Sequence, residues 1–344
     1  MKKEIKSYVR ENILKLKPYS SAREEYTAKA KIYLDANENP FENGFNRYPD
    51  PLQKDIKKAL SKLKNITPDH IFVGNGSDEV LDILFRIFCE PKEDSTIFSS
   101  PTYGMYKVLA ELHNVKGIDV PLTKELRLDT EKLLASKAKI LFVCSPNNPT
   151  GAQFPREDVI RLVKGFDGIV VADEAYVDFA SYSLLNEIDK HPNLVVCQTF
   201  SKSWGLAGLR VGLAYANPYI IELMTKVKMP YNVNVATQKE VLKVLENPKP
   251  IQDNIRDILK EKSSMLSLLE KMPFVKRVFK SDANFLMVEF NENVSKLHDF
   301  FTQKGVLVRN QSNKLHCENT LRFTIGTKEE NQEVRSILND YFSH

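Results

Sequence analysis

The sequence predicts an α/β protein in which a large, mostly parallel sheet is followed by a smaller α+β unit. Short apolar runs near residues 71, 96, 139, 168, 194 and 211 alternate with helical stretches, the order that builds a parallel sheet covered on both faces. Past Asn247-Pro248-Lys249-Pro250 this alternation stops. One long helix, from 251 to about 271, then leads into closely spaced strands. Polar residues gather just beyond the ends of several runs of the first part, where open α/β sheets bind ligands.

Three regions follow from this pattern. Residues 1–40 hold a short amphipathic stretch, with Tyr8, Ile13, Leu14 and Leu16, and a polar connector. That is too little apolar surface to fold alone, so the region is expected to be an arm that packs on a partner. Residues 41–245 form the large unit. Residues 246–344 form the small one, with strands expected over 274–279, 284–290, 306–309 and 321–325 and helices over about 293–304 and 328–342. The start, Met1-Lys2-Lys3-Glu4-Ile5-Lys6, is basic but no continuous apolar segment follows it, and no window reaches the length of a membrane span. A cytoplasmic enzyme is the expectation.

Composition narrows the function classes. With 42% hydrophobic and 27% charged residues in 344, the chain reads as an ordinary globular protein of about two domains. Its net charge of +4 is spread along the chain and gives no case for nucleic acid or a membrane surface. Cys89, Cys144, Cys197 and Cys317 are scattered, without metal-site spacing, and read as buried free thiols of a reducing compartment. His316 beside Cys317 reads as a loop detail.

The chemistry concentrates at four strand ends. Lys202 lies past the apolar run 194–197, with Ser201 and Ser203 beside it and Arg210 farther on. An amine becomes a nucleophile at neutral pH when burial or neighbouring positive charge destabilises its ammonium, and hydroxyls with a guanidinium can hold a phosphate nearby. Lys202 therefore reads as a Schiff-base lysine or as a solvated loop lysine. Asp173 ends the run 169–172, and a carboxylate at such a tip can hold a pyridinium N–H. A Walker B strand would look similar, but the chain has no G-x-x-x-x-G-K-[ST]. Asn148 sits in the turn Ser145-Pro146-Asn147-Asn148-Pro149-Thr150-Gly151, able to donate to a phenolate-like oxygen, with Tyr176 as a second donor.

The fourth piece is Gly74-Asn75-Gly76-Ser77-Asp78-Glu79. Ser77 is expected to cap a helix whose apolar face carries Val80, Leu81, Leu84, Ile87 and Phe88, leaving free N–H groups as a phosphate cradle. Glu79 stands where the dinucleotide fingerprint needs its third glycine, which argues against nicotinamide.

In order along the chain, these segments resemble the fold-type I pyridoxal-phosphate aminotransferases, and most closely their histidinol-phosphate branch. The resemblance also rests on Lys17-Pro18-Tyr19-Ser20-Ser21-Ala22-Arg23, Leu34-Asp35-Ala36-Asn37-Glu38-Asn39-Pro40, Arg47-Tyr48-Pro49-Asp50 and Ser100-Pro101-Thr102-Tyr103-Gly104-Met105-Tyr106. It ends with Gly305-Val306-Leu307-Val308-Arg309 and Leu321-Arg322-Phe323-Thr324-Ile325-Gly326-Thr327.

The resemblance implies pyridoxal 5'-phosphate as cofactor and a homodimer. It implies Lys202 as the residue bound to the cofactor, Asp173 at the pyridine nitrogen, Asn148 and Tyr176 at the ring oxygen, and Tyr103 on the ring face. Gly76, Ser77, Asp78, Ser201 and Arg210 would hold the phosphate, with Tyr48 arriving from the neighbouring subunit. Arg322 would bind the amino donor's carboxylate, and Tyr19 and Arg309 would line the substrate phosphate site. The implied reaction exchanges an amino group between L-histidinol phosphate and 2-oxoglutarate. Alternatives with the same site are a threonine-phosphate decarboxylase, an aromatic aminotransferase, or a non-catalytic regulator that keeps the fold. Ser77 and Trp204 stand where relatives often carry other residues, which bears on substrate preference.

Overall fold

The protein is described by a computed structural model over residues 4–18 and 30–342. A seven-stranded sheet comprises β1 (Ile71–Asn75), β2 (Ser95–Phe98), β3 (Lys116–Asp119), β4 (Ile140–Cys144), β5 (Ile169–Asp173), β6 (Leu194–Thr199) and β7 (Val211–Ala216). Their order is β1-β7-β6-β5-β4-β2-β3. The run from β6 through β3 is parallel, and β7 is antiparallel to both β6 and β1.

The central strands are apolar because both their faces are covered. Along β4, β5 and β6 the side chains alternate between two cores. Leu141, Val170 and Val196 enter one, while Phe142, Val171 and Val195 enter the other. The second core is closed by the helix Ser77–Phe88, whose Val80, Leu81, Leu84, Ile87 and Phe88 are all buried. Parallel strands must end at one edge of the sheet. That edge carries Asn148, Asp173 and Lys202 together.

A four-stranded antiparallel sheet follows, from β8 (Val275–Val278), β9 (Phe285–Phe290), β10 (Arg309–Asn310) and β11 (Thr320–Thr324), in the order β10-β11-β9-β8. The helices Lys249–Leu269 and Lys328–Phe342 share a core with it, Leu269 and Leu338 packing with Val288, Phe290 and Phe323. Two hydrogen bonds pin the turn before β9 to the loop after β4. Asp282 accepts from the Gln153 N–H at 2.9 Å, and its own N–H donates to the Gly151 carbonyl at 2.8 Å. Gly151 has φ +86°, and a Cβ there would stand 2.6 Å from Ser281 Oγ, so this close seam requires glycine.

Three expectations need correction. The amphipathic stretch does not wait for a partner: Tyr8, Val9 and Ile13 are buried in the chain's own second core. Arg10 anchors them through Glu90 at 2.9 Å and the Arg86 carbonyl at 3.0 Å, and the Tyr8 hydroxyl donates to Asp167 at 2.6 Å. Ser77 does not cap its helix. Gly76 holds the cap position at φ +82° without a side-chain bond, leaving Ser77 as the first helical residue. The strand expected over 306–309 shrinks to β10, because only Arg309 and Asn310 pair with β11. Among the described residues, no helix is long and apolar enough to cross a membrane and no group of three or more His, Cys, Asp or Glu is placed to hold a metal.

Candidate active site

The edge formed by the ends of β4, β5 and β6 opens into a cavity of about 340 Å3. Asp173, the last residue of β5, lines it and is only 3% exposed. One carboxylate oxygen accepts from the Tyr106 hydroxyl at 2.6 Å and the other from the Ala175 N–H at 3.2 Å. Burial pushes its pKa up, and the nearby Asp78 charge adds to this, while the hydrogen bonds from Tyr106 and Ala175 and the charge of Lys202 pull it down. The rise dominates. Asp173 is thus an acid whose charged form is disfavoured chiefly by burial, at the lining of the cavity.

Lys202 lies three residues past β6, open to the same cavity. Crowding by the cavity walls lowers its pKa, as do the charges of Arg322 and Arg210, against Asp173 and Asp78. Its Nζ lies 5.7 Å from the centroid of the Tyr176 ring. Although Lys202 is exposed overall, crowding on its cavity side and then its positive neighbours shift it towards the free base.

Asn148, Tyr176 and Arg322 meet on one wall. Asn148 Nδ2 is 3.5 Å from the Tyr176 hydroxyl, and its Oδ1 accepts a hydrogen bond from Arg322. Tyr176 is buried edge-on against Phe285 of β9 at 5.3 Å, and the Arg322 guanidinium lies 5.1 Å over the same ring. Residues from both sheets thus converge. Burial lowers the pKa of Arg322 and the Arg309 charge does the same, Tyr176 opposing, but a guanidinium stays charged at neutral pH.

Another side of the cavity holds the residues expected to cradle a phosphate. The helix Ser77–Phe88 starts there with its free N–H groups, Ser201 sits nearby, and Arg210 reaches within 3.5 Å of Asp78. A Cβ on Gly76 would come 2.6 Å from the Arg210 guanidinium, so glycine lets that side chain lie along the turn. Tyr103 forms the adjoining side and donates to Asp78 at 3.0 Å.

Two sequence-predicted residues, Tyr48 and Arg309, do not line this cavity. Tyr48 stacks on Tyr231, ring centroids 4.4 Å apart, and lines a separate cavity of about 490 Å3. Arg309 is exposed and pairs in register with Arg322 without lining the Lys202 cavity. Tyr19 lies outside the described residues.

Sequence reasoning missed two others. Tyr106, fully buried, stacks on Phe142 at 4.7 Å and holds Asp173. Its place on an apolar helix face beside Leu109 and Ala110 reads as core. Gly212 brings β7 against the cradle, for a Cβ there would collide with the Ser77 nitrogen at 2.1 Å. The signal for it is a glycine inside an otherwise apolar strand.

Residues 28–338 match the family described as aminotransferase class I and II. The chain is 46% identical over 336 residues to the histidinol-phosphate aminotransferase of Christiangramia forsetii, covering 96% of each chain. Its fold superposes on the histidinol-phosphate aminotransferase structure from Clostridium acetobutylicum with a TM-score of 0.79, at 23% identity, covering 87% of this chain and 91% of the other. The enzyme of that name from Sinorhizobium meliloti, solved in complex with pyridoxal-5'-phosphate, gives 0.76 at 21% identity, with 86% and 82% covered. The fold is that of the fold-type I enzymes. On its family match and its full-length relatives, the chain belongs to the class I and II aminotransferases, within the histidinol-phosphate aminotransferase family.

Proposed function

We propose that this chain transfers the amino group of L-histidinol phosphate to 2-oxoglutarate, giving imidazole-acetol phosphate and L-glutamate in histidine biosynthesis, with pyridoxal 5'-phosphate as cofactor. The observation that carries the reading is the convergence of Lys202, Asp173, Asn148, Tyr176 and Arg322 on one cavity that ends in an anion cradle. The residues fit the cofactor group by group. An amine of lowered pKa suits its aldehyde, a carboxylate whose charge is disfavoured by burial suits a protonated ring nitrogen, and a helix N-terminus with Arg210 suits its phosphate. Full-length relatives favour this reading over a decarboxylase or an aromatic aminotransferase.

When bound, pyridoxal phosphate supplies an electron sink for the electron pair left as the substrate's Cα–H bond breaks. The protein does the rest. Asp173, fixed by Tyr106, would hold the ring-nitrogen proton, Asn148 and Tyr176 would donate to the ring oxygen, and Tyr103 would cover the ring face. Lys202 would hold the cofactor by its aldehyde, and its Nζ, with lowered pKa, would move the substrate's Cα proton, acting as base and then as acid. Arg322 binds the substrate's anionic end, and its fork suits either a carboxylate or a phosphate. The resemblance also assigns Tyr19 and Arg309 to the substrate phosphate, although Arg309 does not line the Lys202 cavity.

The active form is a homodimer in which Tyr48 serves the partner's cofactor phosphate. In support, Tyr48 is half exposed and lines a different cavity from Lys202 of its own chain, and the same segment exposes Leu34 at 87% and Phe41 at 79%. Four free, buried cysteines support a cytoplasmic setting. The test is a half-reaction panel read by the cofactor's visible absorbance. Histidinol phosphate should convert the spectrum, whereas threonine phosphate and phenylalanine should not. Conversion by threonine phosphate with release of carbon dioxide would assign the decarboxylase chemistry instead.

A further inference from the structure

Behind the wall that carries Lys202 lies a second, smaller chamber of about 10 Å3, room for roughly one water. Ala175 and Thr199 line both chambers, so the wall between them is thin. It consists of the two segments that follow β5 and β6, one bearing Tyr176 and the other Lys202. The back of the wall is polar. Glu174, 2% exposed, accepts from the Leu184 N–H and the Ser183 hydroxyl at 2.6 Å each and from Gln198 Nε2 at 2.9 Å. Asp178, in the turn Val177–Phe179, stands 4.0 Å from Lys64 Nζ and accepts a hydrogen bond from the hydroxyl of Ser203. The Tyr215 hydroxyl is wholly buried without a hydrogen-bond partner among the described residues. Burial and then the charges of Asp178 and Glu174 drive its pKa up.

Ser203 is the residue next to Lys202 and is 5% exposed. The backbone bonds around it, Gly205 N–H to Lys202 carbonyl and Leu206 N–H to Phe200 carbonyl, stay within the loop. The hydroxyl of Ser203 reaches out of the loop to the turn that follows Tyr176.

We propose that Asp178 is a positioning residue for Lys202: through Ser203 it ties the loop bearing the lysine to the turn bearing Tyr176, and so fixes where the amine stands in the cavity. Lys64 Nζ stands 4.0 Å from the other carboxylate oxygen, and the Glu174 carbonyl accepts from the Val177 N–H at 3.0 Å where the same turn begins. The inference rests on the function proposed above, in which Lys202 carries the cofactor.

The test compares Ser203→Ala, Asp178→Ala and Asp178→Asn as holoenzymes. Ser203→Ala removes one hydroxyl, and Asp178→Asn keeps an acceptor oxygen. Ser203→Ala and Asp178→Ala should lower kcat about tenfold or more, because small misplacements of a reacting group cost that much. The KM for the amino donor should stay within about twofold, since substrate binding is untouched. Visible circular dichroism per bound cofactor reads how rigidly the chromophore is held; it should fall in these two variants and recover in Asp178→Asn. Should Asp178→Ala fail to fold, Ser203→Ala decides alone. Normal kcat with unchanged visible dichroism in Ser203→Ala overturns the proposal and leaves the function standing. Cofactor mapped in the wild-type enzyme to a lysine other than Lys202 overturns the function, and this inference with it.

Discussion

Asp173 is costly for the empty protein and useful to the loaded one. Burial disfavours its charged form and raises its pKa, and a protonated ring nitrogen beside it would supply a compensating charge. Tyr106 and the Ala175 N–H keep the carboxylate aimed. Asp173→Asn keeps the shape and removes the charge. It should retain bound cofactor yet lose at least about 3 kcal/mol of transition-state stabilisation, or roughly a hundredfold in kcat. Steady-state kinetics on cofactor-saturated variant check this, and near-normal turnover would refute the electrostatic role.

The elements around the site are legible in the sequence to different depths. Asn148, Asp173 and Lys202 were readable because continuous apolar runs break into polar residues at the ends of parallel strands, and those ends share one edge. Tyr106 was not, since periodicity marks a buried helical face without saying what its hydroxyl meets. Gly212 depends on the distant Ser77 turn, and the docking of Tyr8 and Ile13 depends on Arg10 finding Glu90; both are tertiary facts without a local pattern. Ser77 misled because a hydroxyl after glycine looks like a cap, whereas the positive φ of Gly76 already makes the turn.

Lys57, on the helix Lys54–Lys64, carries a cost of its own that the sequence also hides. Burial and the charge of Lys228 lower its pKa from 10.5 to about 8, against Asp50. The folded state thus bears the full penalty of a buried ammonium below pH of about 8, and sheds it as pH rises towards 10.5. Lys57→Met should stabilise the protein by about 1–3 kcal/mol at neutral pH, with the gain fading across that window and gone above it. Urea unfolding on both sides of the window measures it. A gain independent of pH would place the effect in packing.

At the scale of the whole molecule, the proposed homodimer would complete each site with Tyr48 of the other chain. Mixing Tyr48→Phe subunits with Lys202→Ala subunits should raise activity above the sum of the parents, because a heterodimer then has one site with both defects and one with neither. No rise, with subunit exchange shown independently, would mean that Tyr48 serves its own chain. Everything proposed about the site still turns on one bond. Borohydride reduction of the holoenzyme followed by peptide mapping should place the reduced cofactor on Lys202, in the peptide that carries Ser201 and Ser203. A reduced adduct on any other lysine, or none at all in cofactor-saturated protein, would contradict the account at its centre.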